Sequence, residues 1–367
     1  MSARALHASL HATLLAWMLL STSNTAAAQS ATPSRLAVDT VVAGDTTRNG
    51  DGTLVSGVVA DAMVSAALGR GFQAITRPFL QRLGTTREWN AQLWIAALRY
   101  EHGTRRAVRI DAGYIPSPVG MANLLIRPHT NPTTALPASL FTPLPLLDAS
   151  GPRTTLLGNL YPLGISATVS TVRWDARAAF IDTSPLRARR VFADLSPPNP
   201  PRLPTIVFGG GLTPVVGVRV GASVARGIWE RVGEGSAMTS ARRATVTTLE
   251  ADIAYRHTHV QGEWTRDHVD TGRGTISASG WFIQGEQALA PRWFVTGRAE
   301  QIGAPAPASI ASVNQTRQRL VGTEETLGYR LTRELTIRLS HRMRRGFGRI
   351  EADHATTVSM VWWRRWL

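Results

Sequence analysis

The sequence predicts an all-β fold: a transmembrane antiparallel β-barrel of about 16 strands, with a long inward-folded third extracellular loop. Three observations predict it. Segments of about ten residues alternate apolar and polar side chains along most of the chain. Their connections alternate between short and long. The last segment, "TTVSMVWWRRWL", carries Trp362, Trp363 and Trp366 at its end. A strand that crosses lipid needs this pattern, with one face on hydrocarbon, the other on a lumen, and aromatic residues at the interfaces.

The chain opens with "MSARALHASLHATLLAWMLLSTSNTAAAQS". Arg4 supplies a positive start, Ala12–Leu20 a short apolar core, and Ala26, Ala27 and Ala28 small residues for cleavage. Residues 1–28 therefore read as a secretory signal peptide, and the apolar run is too short for a bilayer anchor. Residues 29–367 then form a single barrel domain. No later stretch holds about 18 uninterrupted apolar residues, so helical spans are not expected. The chain has no cysteine, which excludes a disulfide framework and thiolate chemistry.

Charge is lopsided. Forty basic residues stand against 25 acidic ones, for a net charge of +15, and every basic residue is arginine. Loss of the signal peptide removes only Arg4 and leaves +14. A basic chain usually suggests nucleic acid, but an exported one seldom meets it. The expected partners are outer-membrane lipid and small anionic or polar solutes, for which the planar guanidinium fork is suited.

The strands follow in order. The alternation places them near 36–44, 54–68, 71–82, 88–102, 105–115, 164–172, 175–184, 204–213, 215–228, 243–256, 258–268, 275–289, 291–302, 317–330, 333–344 and 353–364. In "RAVRIDAGYI", Val108, Ile110, Ala112 and Tyr114 share one face, and Arg109, Asp111 and Gly113 the other. "TVRWDARAAF" sets Trp174, Ala176, Ala178 and Phe180 against Arg173, Asp175 and Arg177. "VGVRVGASV", "TVTTLEADIAYR" and "ELTIRLSHRM" repeat the pattern, with Arg219, Glu250, Asp252, Arg256, Arg338 and Arg342 on the polar side. Only closed pairing satisfies strand backbones in hydrocarbon. A soluble sandwich shows the same alternation, so the connections matter. Short ones such as "LGRGF", "GLTPVV" and "ALAPRW" alternate with longer ones at 45–53, 83–87, 116–163, 185–203, 229–242, 269–274, 303–316 and 345–352. Strict alternation with both chain ends on the short side fits a bacterial outer-membrane barrel. The weak first strand leaves 14 as a second count.

The third long connection, 116–163, carries Pro116, Pro118, Pro128, Pro132, Pro137, Pro143 and Pro145 and almost no charge. Proline lacks a donor, so this stretch cannot join the ladder. Its apolar runs, "MANLLI" and "SLFTPLPLL", suit packing against an inner wall rather than disorder. Before it stands "GYIPSPVG", Gly113–Gly120. This motif resembles a strand end of the phosphate-selective and polyphosphate-selective porins of Gram-negative bacteria. The resemblance implies an outer-membrane diffusion channel, a third loop that narrows the lumen, and a homotrimer.

The candidate pore-lining and constriction residues are Arg77, Arg99, Arg109, Asp111, Arg127, His129, Arg153, Arg173, Asp175 and Arg177. Acids on the lumen faces, among them Glu101, Glu250, Asp252, Glu263, Asp267 and Glu300, would neutralise part of this charge. One unpaired arginine about 7 Å from an anion contributes about 2.4 kcal/mol at an effective dielectric of 20, and about 0.6 kcal/mol in bulk-like water. Selectivity therefore turns on how narrow the passage is. Rings of arginine are a usual anion-pore device, so the lean is towards anions such as phosphate.

No cofactor, metal or catalytic residue is expected. "DTTRNGDGT" (45–53) lacks the spacing and terminal glutamate of a calcium loop, and its Asn-Gly and Asp-Gly pairs are ordinary turn signals. "HTH" (257–259) falls in a predicted turn. No nucleophile elbow, phosphate-cradling loop or dinucleotide fingerprint is present. Two rival readings remain. One is an outer-membrane barrel enzyme or adhesin with a plugged lumen. The other is a soluble periplasmic β-sandwich that binds polyanions.

Overall fold

The computed structural model describes residues 36–82, 84, 88–103, 105–144, 154–158, 160–187, 202–231, 241–271, 274–305, 317–347 and 353–366. The candidate Arg153 and the signal-peptide reading of 1–28 lie outside the described residues. Sixteen strands run in chain order: β1 Leu36–Asn49, β2 Leu54–Gly69, β3 Phe72–Arg82, β4 Trp89–His102, β5 Ala107–Tyr114, β6 Leu163–Ser170, β7 Trp174–Ile181, β8 Thr205–Val215, β9 Val218–Glu230, β10 Arg242–Tyr255, β11 Thr258–Thr271, β12 Gly274–Ala288, β13 Trp293–Pro305, β14 Arg317–Arg330, β15 Leu335–Gly346 and β16 Asp353–Arg365.

Each strand pairs antiparallel with its chain neighbours, and β1 pairs with β16 to close the barrel. The closing seam runs from Asp39 opposite Arg365 to Asn49 opposite Ala355. Closure leaves no strand edge without partners, which is what a hydrocarbon surround requires. It also excludes the sandwich reading: Phe180, Ile206, Phe208, Leu249 and Leu339 lie on the outer surface, each at least half exposed. The count is sixteen, not fourteen.

The alternation placed most strand ends within three residues. β1 is the main departure. It runs on to Asn49, so the connection after it shrinks to a turn in which Asn49 accepts from Gly52 N (2.9 Å). Asp45 is thereby part of a strand, and no cation-type loop forms. β11 and β12 are joined by only two residues. Strict short–long alternation therefore fails at two places on the loop end of the barrel. Arg173 and Arg256, expected on lumen faces, instead lie in turns at the opposite end, here called the turn end. Arg256 has φ +53° there, a left-handed conformation suited to a tight turn.

One irregularity shapes the interior. Pro78 cannot donate to the β3–β4 ladder, and the register shifts between Arg77 and Pro78. Arg77 pairs with Ile95 and Pro78 with Leu93, so Trp94 is an extra residue on β4. This β-bulge turns consecutive side chains inward. Trp94 and Ile95 are both at most 5 % exposed.

Candidate functional site

The loop between β5 and β6 folds into the barrel. Its stems extend the strand pairing, with Ile115 N donating to Pro162 O (3.0 Å) and Ser117 N to Leu160 O (2.9 Å). Beyond them lie a single 3₁₀ turn, Ala122–Ile126, and one helical turn, Ala138–Phe141. Both are too short to satisfy their own backbone groups. The barrel wall satisfies many of them instead.

Carboxylates of the wall accept from loop N–H groups. Glu263 on β11 accepts from Met121 N and, at 3.0 Å, from Ala122 N. Glu324 on β14 accepts from Thr134 N (2.9 Å) and Ala135 N (3.0 Å). Glu300 on β13 accepts from Ala138 N (2.8 Å). Arginines of the wall donate to loop carbonyls. Arg298 reaches Ala135 O (2.8 Å), Arg338 reaches Thr133 O (2.8 Å) and Pro128 O (3.1 Å), and Arg344 reaches Leu136 O (3.2 Å). Arg298 also pairs with Glu324 (2.5 Å), and Arg344 with Glu300 (2.9 Å).

Gly120, the last residue of the "GYIPSPVG" motif, sits where the loop abuts this wall. It has φ +68°, and a Cβ there would meet the Glu263 carboxylate. Only glycine takes that conformation without strain and leaves room for the acid.

On the other side the loop is held by a buried charge cluster. Asp61 on β2 takes Arg77 at 2.6 Å through a forked contact, and both side chains are at most 3 % exposed. Arg127 of the loop adds a third charge, 3.4 Å from Asp61. Tyr161 on the returning limb hydrogen-bonds Arg77. The Arg77 guanidinium lies 4.7 Å over the Trp94 ring, and Trp94 stacks on Phe79 at 3.6 Å. Such cation–π stacking gains strength when desolvated. His129 stacks on Trp363 of β16, with centroids 5.5 Å apart. Burial, with the Arg127 and Arg77 charges beside it, holds its imidazole down to about 4. Burial likewise pushes the Tyr161 hydroxyl up.

The loop also has a dry interior. Val119, Leu125, Leu140, Leu156 and Leu160 are at most 2 % exposed and join one apolar cluster with Phe79, Trp94 and Phe282 of the wall. Between loop and wall, on the β1–β3 side, a cavity of about 340 Å³ remains, lined in part by Asp45, Thr47, Gln81, Trp94, Leu125 and Arg338.

The expected constriction residues thus separate into two groups. Arg77, Arg127 and His129 come together at the loop, but the two arginines share the one carboxylate of Asp61 in a mostly buried cluster, and the imidazole is half-buried. Arg99, Arg109, Asp111, Asp175 and Arg177 lie near the turn end, on β4, β5 and β7. Arg173 joins neither group. It is exposed in the β6–β7 turn, about 26 Å along β6 from the end where the loop enters.

In the turn-end group Asp111 takes Arg99 (2.7 Å) and Arg109 (3.3 Å). Arg219 takes Asp175 (3.1 Å) and Glu250 (3.0 Å), and Arg177 lies 3.5 Å from the same Glu250. Four guanidinium groups share three carboxylates, while Glu101 stands in register opposite Arg109. The four arginine side chains keep 18–45 % exposure inside the barrel. Gly209 and Gly211 make room for them: a Cβ on either would approach Arg177 or Arg219 to 3.0 Å or less. Arg177 Nε and Nη2 are buried without a hydrogen-bond partner.

Sequence reasoning missed Asp61, Glu324, Trp94 and Tyr161. Asp61 carries a readable signal, since it is the one acid within "VVADAMVSAAL". Glu324 does not, because Glu325 follows it and strand phase alone separates them. Among the described residues no cluster of His, Asp or Glu could hold a metal. His259 pairs with Asp252 at 3.1 Å.

No family model and no curated protein matches this sequence. Solved structures do match. OmpF of Salmonella typhi, in complex with daunomycin, superposes with a TM-score of 0.61 at 8 % identity, covering 90 % of this chain and 97 % of that one. A trimer form of OmpT, an outer-membrane protein of Vibrio cholerae, gives 0.59 at 7 % identity, covering 90 % and 99 %. An anion-selective porin from Comamonas acidovorans gives 0.58 at 10 % identity, also covering 90 % and 99 %. The fold is that of the outer-membrane barrel porins.

Proposed function

We propose that this chain is an outer-membrane porin: a passive channel for small hydrophilic solutes, with a modest lean towards anions such as phosphate. The observation that carries the reading is a closed 16-strand barrel with a folded loop held inside it. The inward-facing arginines of β4, β5, β7 and β9 stay solvent-accessible towards the turn end of the lumen. Export by a signal peptide at 1–28, residence in outer-membrane lipid and assembly as a homotrimer belong to the same proposal. The trimer form among the structural neighbours supports the last point. No nucleic acid is involved.

The loop cations Arg77 and Arg127 share the one carboxylate of Asp61 and are largely shielded from solvent. Anion preference therefore rests on the turn-end network, where Arg177 is the least paired member. The expected preference is weak, because most of this charge is matched. A phosphate-selective channel in the narrow sense draws support only from the motif around Gly120.

Planar-bilayer recording of the purified, folded protein tests the reading. Discrete conductance steps with a reversal potential on the anion side are expected. Absence of steps removes the channel, and cation preference removes the anion lean. A plugged barrel enzyme or adhesin is the second reading, favoured by the dry cluster that the loop forms within the lumen. A protein that folds and inserts but passes no current turns the assignment that way.

A further inference from the structure

The outer surface holds a group of cations that the channel reading does not use. Arg226 on β9, Arg243 on β10, and Arg266 and His268 on β11 point outward and are exposed. They lie on three adjacent strands. Arg226, Thr245 and His268 are in direct register across β9–β11, about 10 Å from first to last at the usual strand spacing. Arg243 stands beyond this row, and Arg266, opposite Thr247, before it. Arg266 Nε donates to Ser277 of β12 (3.3 Å), and Asp270 nearby is engaged by the Thr275 hydroxyl (3.0 Å). None of the three arginines forms an ion pair among the described residues.

Their height matters. Tyr255 and Trp293 mark the turn end on this side, as interfacial aromatics do. Arg266 is eight residues from the start of β11 and Arg226 eight from the start of β9. With strands tilted by about 40°, that places both about 21 Å up the barrel, with His268 about 26 Å and Arg243 about 31 Å up. The apolar band of such a barrel is about 25 Å tall. The cations therefore straddle the upper interface, one row beyond the register pair Trp264 and Trp281. An outward arginine is costly at the bilayer midplane and nearly free at this level. Beside them, β5–β8 carry no outward cation, and Ile206, in register with Arg226, is apolar.

We infer that the β9–β11 face is a binding site for the phosphorylated headgroup of an outer-leaflet glycolipid. Three forked guanidinium groups at headgroup depth, with Thr245, Thr247 and Ser277 as neutral partners, match phosphate oxygens in charge and in geometry. The acyl chains would run down over Trp264, Trp281, Leu249 and Ile283. The inference rests on the barrel sitting in a bilayer, as the porin reading holds, but not on conduction.

Native mass spectrometry of the full, detergent-folded barrel tests it, with lipid A, a neutral-headgroup phospholipid and inorganic phosphate as separate probes. Folding is checked by heat-dependent gel migration. Lipid A adducts are expected on the parent protein and on the control Arg48→Gln/Arg319→Gln, which alters exposed arginines of β1 and β14 away from this face, and at least tenfold fewer on Arg226→Gln/Arg243→Gln/Arg266→Gln. Should the triple variant fail to fold, Arg266→Gln alone is expected to lose about threefold. Equal binding by parent and Gln variants overturns the site. So does equal loss in the control, or inorganic phosphate binding as well as lipid A. A barrel that binds lipid A but passes no current leaves this inference standing and sinks only the channel.

Discussion

The strand wall and the loop inside it use the same apolar residue types in opposite directions. On the wall, leucines point away from the protein: Leu249 is 52 % exposed on the outer surface, where the porin reading puts lipid. In the loop, Leu140 is 0 % exposed and packs against other side chains of this chain. Polar groups reverse likewise. The wall's backbone is satisfied by its own ladder, whereas the loop borrows acceptors and donors from Glu263, Glu300, Glu324, Arg298 and Arg338. The loop is thus a small water-soluble type of core, enclosed in a membrane-type shell. What holds it is not regular structure but charged side chains projecting from strands far apart in sequence.

The largest way to break this contrast is Asp61→Ala. It leaves Arg77 and Arg127 buried without their carboxylate. Removing one partner of a buried pair costs about 3–5 kcal/mol. Thermal unfolding in detergent is expected to fall accordingly, with the loop becoming protease-sensitive before the wall. A loop that stays docked would show that the apolar cluster alone suffices.

Next comes a matched pair of truncations. Leu140→Ala opens a cavity in the loop core and should cost about 2–5 kcal/mol. Leu249→Ala leaves a gap that lipid fills, so about 1 kcal/mol or less is expected, in line with lipid being as apolar as leucine. Equal losses in equilibrium unfolding would erase the distinction between the two environments.

A smaller effect tests the turn-end network. Arg177→Glu changes the lumen by two charge units while leaving the loop contacts intact. The anion-to-cation permeability ratio is expected to fall by roughly three- to eightfold, as water-like dielectric and moderate screening allow. Reversal potentials in a salt gradient measure it. No change would mean that solutes pass elsewhere, along the cavity beside β1–β3.

The smallest effect is on pH. The His129 imidazole titrates at about 4 in the docked loop, below its ordinary value near 6.5. The released loop therefore binds the proton more readily, and docking is strongest above about pH 6.5. It weakens as pH falls towards 4. Hydrogen exchange of the loop should accelerate over that window and stay constant from pH 7 to 8. His129→Phe, which keeps the stack on Trp363, should abolish the acid dependence.

Much of the wall was legible because strand alternation is a local property. "TVRWDARAAF" and "RAVRIDAGYI" declare their faces within ten residues, and Trp174, Phe180, Ile110 and Tyr114 lie outward as the phase requires. Phase fails at the ends, where a turn replaces the pleat. Arg173 and Arg256 were misplaced for that reason, and β1 outran its weak pattern by five residues. The candidate site was half legible. Arg99, Arg109, Asp111, Asp175 and Arg177 do face the lumen together. Nothing local indicated that Arg77 and Arg127 would share one buried carboxylate, nor that the register would shift at Pro78 and turn Trp94 inward.

The sequence alone determined which strand faces are apolar and which segment stays out of the ladder. The first follows from two-residue periodicity and the second from proline's missing donor, and neither depends on distant residues. The tertiary structure alone decided the strand count of sixteen, which wall groups hold the loop and which charges pair. Asp61, Arg77, Arg127 and Tyr161 meet only when the closed barrel brings β2, β3 and the loop to one point. Electrostatics acts through space, so its balance is set by that meeting and not by order along the chain.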